Sequence, residues 1–312
     1  MSLKEARKLF KEIAPKLKQA GWVEDKRIPS SNPWLLWNER GVEPLSYLVL
    51  HGDIDLVEKV LAFHQKTKIE VGLVHALTNI AKSTHPKEWV DLFYKFNVDL
   101  NSVNPSFPFS PLMFAVSSSN EELVKALLER GVAPNQSLNG LFSTSVLLTF
   151  LDSEESSTTP QVLKALLDHG LDISKPVSRF SNPMETICLK GPQYTRLLLE
   201  SGVDPNWMNE DAHPLLFSII RRQFFRDYDV PRTDDLNKDL CLNPDASLEP
   251  VAETLIQAGA TIDFEIDGQK LGQYNRELKK PFQCIESLYV KSLLKEALPR
   301  SSEASKPSSP RL

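Results

Sequence analysis

Four aspartates, Asp227, Asp229, Asp234 and Asp235, form the densest group of carboxylates in the chain. Carboxylates held this close can bind a divalent cation or share a proton in acid–base catalysis. A calcium loop also needs a glycine at its sharp turn and a distal glutamate. Neither stands at the right spacing, so the cluster reads as a solvated acidic loop. The histidines, His51, His64, His75, His85, His169 and His213, are scattered. Cys188, Cys241 and Cys284 are odd in number, far apart and in no paired spacing, which argues against both a disulfide framework and a zinc site. No Gly-rich phosphate loop, Gly-x-Ser-x-Gly elbow or His-Glu-x-x-His pair occurs. The expectation is a protein with no catalytic residue, metal or cofactor, and not an enzyme. A site assembled from distant positions stays open.

A second set of residues suits recognition. Phe107, Phe109, Phe142, Trp207 and Met208 fall in breaks between helix-sized apolar patterns, where aromatic and thioether side chains can anchor a protein partner. Ser117, Ser118 and Arg221 lie at the polar ends of short apolar runs. Phe224, Phe225 and Tyr228 stand among charges at the start of a long irregular stretch, residues 221–250, which carries Pro231 and Asn243-Pro244 and should break the helix pattern. A connection this long in a compact array is usually functional or disordered, and the aromatic cluster favours an ordered, partner-contacting start with a flexible remainder.

The elements that position these residues recur. The run from Ser110 to Val116 leads into Glu122 to Asn135, a short apolar helix followed by a second helix that a glycine stops. Gly131, Gly170, Gly202 and Gly259 stop such helices, and Asn97 takes the same place. Both residue types tolerate the left-handed conformation that closes a helix. The intervals are 34 (97 to 131), 39 (131 to 170), 32 (170 to 202) and 57 (202 to 259). Most lie near a period of about 33 residues, with one large insertion. A helix-turn-helix unit of this kind cannot bury its apolar face alone and must stack on copies of itself.

These residues resemble the ankyrin repeat family. The Thr-Pro-Leu-His-x-Ala opening of that family is partly matched by Glu43 to Leu48, by Ser110 to Ala115 and by His213 to Ser218, and its Gly-Ala-Asp-x-Asn closing by Gly131 to Asn135 and Gly202 to Asn206. The resemblance implies an all-α, ankyrin-type α-solenoid of about six helix-turn-helix repeats with helical caps at both ends. Residues 1–40 are then an amphipathic helix and cap, 41–268 the array with an insertion near 221–250, 269–299 a C-terminal helical cap and 300–312 a disordered tail. It also implies a protein-binding module, acting as scaffold, adaptor or inhibitor through a concave groove and finger loops. In that register Ser117, Ser118 and Arg221 face the groove, while Phe107, Phe109, Phe142, Trp207 and Met208 lie on the fingers. Two readings of the finger residues stand side by side: partner anchors, or side chains packed finger against finger.

The remaining features narrow the class. Leu3, Ala6, Leu9, Phe10, Ile13 and Leu17 recur at helical spacing, with Ser2 as cap, Gly21 as stop and Pro15 expected to bend or split the helix. With 41% hydrophobic and 25% charged residues the chain can build a core, and a net charge of -5 argues against general nucleic-acid binding. No apolar run is long enough for stable membrane insertion. An intracellular, reducing location and a monomer are expected. Two alternatives are an effector or enzyme with a site in the insertion, and a ubiquitin-ligase substrate adaptor using the C-terminal apolar stripe. The Leu-x-x-x-Cys spacing of the ligase-recruiting helix is absent, because Leu288 is followed four positions later by Ser292.

Overall fold

The computed structural model describes residues 3–25, 30–36, 38, 42–83, 85–103, 109–138, 144–153, 159–174, 182–209, 211–228, 247–266 and 268–297. These divide into two compact units, one up to residue 183 and one from 184 onward.

The first unit begins with α1 (Leu3–Gln19). Pro15 does not split it, because Ile13 and Leu17 on either side are both buried and hold the turn in place. Gly21, at φ 98, ends the helix, and Trp22 N–H donates to Leu17 O. Phe10 stands edge-on to Trp22 and Trp34, at 6.1 and 5.5 Å, and Tyr47 OH donates to Ala20 O at 2.6 Å, which joins α1 to the helix that follows. Ser2 lies outside the described residues.

Four helix pairs follow: α2 (Pro44–Leu50) with α3 (Ile54–Thr67), α4 (Leu73–Asn79) with α5 (Pro86–Lys95), α6 (Pro111–Ser117) with α7 (Glu121–Glu129), and α8 (Val146–Asp152) with α9 (Pro160–Asp168). Their starts are written locally. Ser110, Asn120, Ser145 and Thr159 each accept from the backbone N–H three residues on, and Pro44, Pro86, Pro111 and Pro160 occupy first positions where no N–H is needed. The ends follow the same logic, since Asn97, Gly131 and Gly170 have φ of 56°, 83° and 86°. First helices pack on first helices along α2, α4, α6 and α8, and second on second along α3, α5, α7 and α9. Leu112, Met113, Val116, Val124 and Leu127 are buried between them; each such side chain contributes about 2 kcal/mol.

A hydrogen-bonded stitch joins successive closing turns. Ala133 N–H donates to Asn101 Oδ1, and Gln136 Nε2 donates to Asn101 O. One turn later Asn135 donates to Gly170 O at 2.8 Å and accepts from Asp172 N–H at 2.7 Å. Asp99 accepts from Asn101 N–H within the same turn, so the carboxylate shapes the turn while the amide reaches the next one. The loop after α7 carries a two-residue ladder, β1 (Ser137–Leu138) with β2 (Thr144–Ser145).

The second unit holds α10 (Pro183–Leu189) with α11 (Pro192–Glu200), α12 (Leu215–Tyr228) with α13 (Glu249–Gln257), and α14 (Leu271–Arg276) with α15 (Gln283–Ala297). A short ladder, β3 (Glu265–Ile266) with β4 (Gln269–Lys270), precedes α14. Asn206 donates to Gly259 O and accepts from Thr261 N–H, repeating the stitch. The last two helices form a further pair after the six expected ones: α14 packs on α12 and α15 on α13. Gly272 makes their approach possible, because a Cβ there would sit 2.0 Å from the Tyr289 ring.

One sequence expectation is corrected here. The helix pattern does not break at Arg221, because α12 runs 14 residues to Tyr228, whereas the other opening helices α2, α4, α6, α8 and α10 run 7 each. The extension is tied down. Phe224 and Tyr228 stack at 4.8 Å one turn apart, Gln223 donates to Asp227 and accepts from Leu248 N–H, and Tyr228 OH donates to Glu277 O. Asp227 Oδ2 accepts from Lys279 N–H, so this carboxylate is a structural acceptor. Asp229, Asp234 and Asp235 lie outside the described residues.

Near the start of the first unit, Glu43 turns away from its own helix and meets His75 Nδ1 at 3.2 Å, with 5% of its side chain exposed. The hydrogen bond to Glu43 raises the His75 pKa above its ordinary 6.5, against the opposing effect of burial. The stability from this pair is therefore complete below about pH 6.5 and is lost as pH rises through the raised folded value. Chemical denaturation at pH 6 and 8.5 should show the wild type losing more stability with rising pH than Glu43→Gln. A second measurement concerns the closing turns. Gly131 and Gly202, at φ 83° and 95°, have open space where a Cβ would point, so Gly131→Val or Gly202→Val should cost about 1–3 kcal/mol through backbone strain alone, with Gly131→Asn costing less.

Candidate functional site

The added turns of α12 create a cavity of about 310 Å³ within the second unit. Its floor is Ile220 and Phe217, both buried on α12, and its far wall is Ile266 of β3 and Tyr274 of α14. Phe217 is packed on three sides, with ring centroids 5.0 Å from His213, 5.1 Å from Tyr274 and 6.5 Å from Phe264. Tyr274 OH donates to Ile266 O, which fixes the far wall against the ladder. At the near rim Phe224 and Phe225 stand edge to face at 6.2 Å, and the Arg221 guanidinium lies 5.3 Å from the centre of the Phe225 ring. That placement suits a cation on an aromatic face and leaves the guanidinium edge open.

Polar groups around the cavity differ in how far they are satisfied. Glu277 at the rim accepts from Gln269 Nε2 at 3.3 Å. Arg221 forms no ion pair with a carboxylate among the described residues. The ring nitrogen Nδ1 of His213 is buried and has no hydrogen-bond partner among the described residues, although its backbone N–H donates to Asn209 Oδ1. A buried polar atom without a partner costs stability.

The sequence candidates fall into three groups. Arg221, Phe224 and Phe225 come together at this cavity, with Tyr228 one turn beyond, stacked on Phe224 and under Lys279. Trp207 and Met208 belong to the loop leading into α12. Leu215 N–H donates to Trp207 O, Met208 bridges to Pro214, and Met208 is 53% exposed. Trp207 is half-buried. In the first unit Phe109 packs on Phe114 at 5.3 Å, while Ser117 and Ser118 are exposed and both donate to Phe114 O. Phe107 and Phe142 lie outside the described residues. His213, Tyr274 and Glu277 were missed because the repeat register explains the first as an opening residue and assigns the other two to a cap. The signal for His213, two residues before α12, was the spacing of four that it shares with Phe217, Arg221 and Phe225 of that helix; Tyr274 and Glu277 carried no such signal.

The family model for the ankyrin repeat matches residues 107–136, which hold α6, α7 and the Asn135 stitch. The chain is 28% identical over 92 residues to the ankyrin repeat protein nuc-2 of Neurospora crassa, a match that spans 30% of this chain and 9% of that longer protein. Among solved structures, the ankyrin repeat domain of Bcl-3, a member of the IkappaB protein family, superposes with a TM-score of 0.54 at 16% identity, over 80% of this chain and 99% of that one. The Legionella pneumophila effector AnkC superposes with a TM-score of 0.51 at 16% identity, over 93% and 90%. The fold of the chain is the all-α ankyrin solenoid, and ankyrin repeats are in general protein–protein interaction modules.

Within this ankyrin array, reactive groups are muted. Burial pushes the Cys188 thiol up to about 12 and the Cys284 thiol up to about 11, so both stay protonated at neutral pH. Cys241 lies outside the described residues. Among the described residues no three His, Cys, Asp or Glu side chains are grouped to hold a metal ion, and no helix is long and apolar enough to cross a membrane. The cavity separates structural rings from available ones. Phe217→Ala should cost about 3 kcal/mol in chemical denaturation, and Phe225→Ala less than about 1 kcal/mol, because only the first ring is enclosed.

Proposed function

We propose that this ankyrin array is a non-enzymatic, intracellular binding module, monomeric by itself, that holds a protein partner as scaffold, adaptor or competitive inhibitor. The observation that carries the reading is the aromatic cavity beside α12, with Arg221 at its rim in no ion pair among the described residues and Met208 exposed on the preceding loop. Aromatic rings, methionine and arginine are the side chains enriched where protein interfaces bury their anchors. The cavity is large enough to take one side chain of a partner. Phe109, Ser117 and Ser118 supply further surface for the same role in the first unit, and Phe107, Phe142 and Trp207 remain candidates on the fingers.

The alternative of an enzymatic site in the insertion loses its described carboxylate, since Asp227 is committed to Gln223 and the Lys279 backbone. The ligase-adaptor alternative keeps only the apolar stripe of α15.

The test is quantitative capture from cell extract with tagged wild type and with Arg221→Glu/Phe225→Ala, both checked for equal melting temperature. A specific partner should be depleted about thirtyfold or more on the double variant, the loss expected when an anchor contributing about 2 kcal/mol is removed. Equal recovery of every captured protein on both would overturn the cavity as the binding site. A parallel Met208→Ala variant should weaken the same partner without affecting stability.

A further inference from the structure

We infer that the α12 cavity recognises an extended acidic segment, in which one apolar side chain fills the aromatic pocket and a carboxylate a few residues along pairs with Arg221. This rests on the protein-binding reading above and specifies the chemistry of the partner. Two observations point the same way. The cavity is lined by Phe217, Ile220, Phe224 and Tyr274, a lining that rewards an apolar or aromatic side chain. The Arg221 guanidinium is held against Phe225 with its donor edge unpaired among the described residues, a geometry that can donate bidentately to a carboxylate.

The opposite charge fits less well. A basic segment would turn to Glu277, but that carboxylate is exposed and already accepts from Gln269, and the approach would bring a cation beside Arg221. Spacing adds a constraint. Phe217 at the floor and Arg221 at the rim are one turn apart on α12, about 6 Å along the helix, so the carboxylate lies within a few residues of the side chain that fills the pocket.

The probe is a capped, fluorescein-labelled peptide Gly-Phe-Ala-Ala-Glu-Gly, compared by fluorescence anisotropy with versions carrying Lys for Glu or Ala for Phe. The acidic peptide should bind at least about fivefold more tightly than the lysine version, and loss of the ring should weaken it by a similar factor. Arg221→Gln should abolish the preference for Glu over Lys while keeping the preference for Phe over Ala, and Arg221→Lys should restore part of the first. Arg221 is exposed, so an unchanged melting curve is expected for both variants. Equal or tighter binding of the lysine peptide, a Glu preference that survives Arg221→Gln, or no binding by any peptide at millimolar concentration would each overturn the inference. None of these results touches the capture experiment, which tests the protein-binding reading by itself.

Discussion

Opening helices of seven residues make two turns, and a helix that short does not persist alone in water. Everything else in this protein answers that constraint. Short helices borrow apolar faces from their neighbours, so Val124 and Leu127 of α7 are buried against α5, α6 and α9. Side-chain caps supply missing backbone partners at the starts of α6, α7, α8 and α9, prolines occupy first positions at others, and left-handed residues turn the chain sharply enough to begin again. The asparagine stitches then set the spacing between turns, because a side chain that both donates and accepts fixes one turn's position and orientation against the next. Ion pairs such as Lys95 with Glu58 and Arg130 with Asp91 run between second helices on the outer surface, where water screens them and they contribute little.

The site arises from a departure within that pattern. Doubling the length of α12 carries Phe224, Phe225 and Tyr228 past the point where other opening helices end, and the added turns need their own support. The turn at 277–279 supplies it through Tyr228, Asp227 and Lys279. The near rim of the cavity is thus made by Phe224 and Phe225 on the added turns, while its floor is made by Phe217 and Ile220 on the first two turns of α12. A feature that is local in sequence becomes a pocket only because the next pair, α14 with α15, stands beside it.

Much of the fold was legible because the signals were local. Gly131, Gly170, Gly202, Gly259 and Asn97 all mark left-handed turns, and a helix stop can be read without knowing what the helix touches. The extension of α12 was harder. Phe224, Phe225 and Tyr228 among charges look like a disrupted pattern when only the interior face is sought, yet they form a second stripe facing a neighbour that lies about fifty residues downstream. Pro15 misled in the same direction: local propensity argued for a break, and burial of Ile13 and Leu17 outweighed it. His213 was explained by its place in the repeat, which hid its second role at the cavity. Tertiary context decides such positions, and a single sequence carries it only as spacing.

The bonds at the two ends of the α12–α13 connection give single substitutions a long reach along the chain. Tyr228 and Asp227 anchor one end to the 277–279 turn, and Gln223 holds Leu248 at the other. Both ends are thus held inside the second unit by bonds of their own, so a change at Gln223 is felt at the start of α13 and a change at Asp227 at the turn before α15. Three stretches that lie far apart in sequence share one support, and it is the same support that holds up the rim of the cavity.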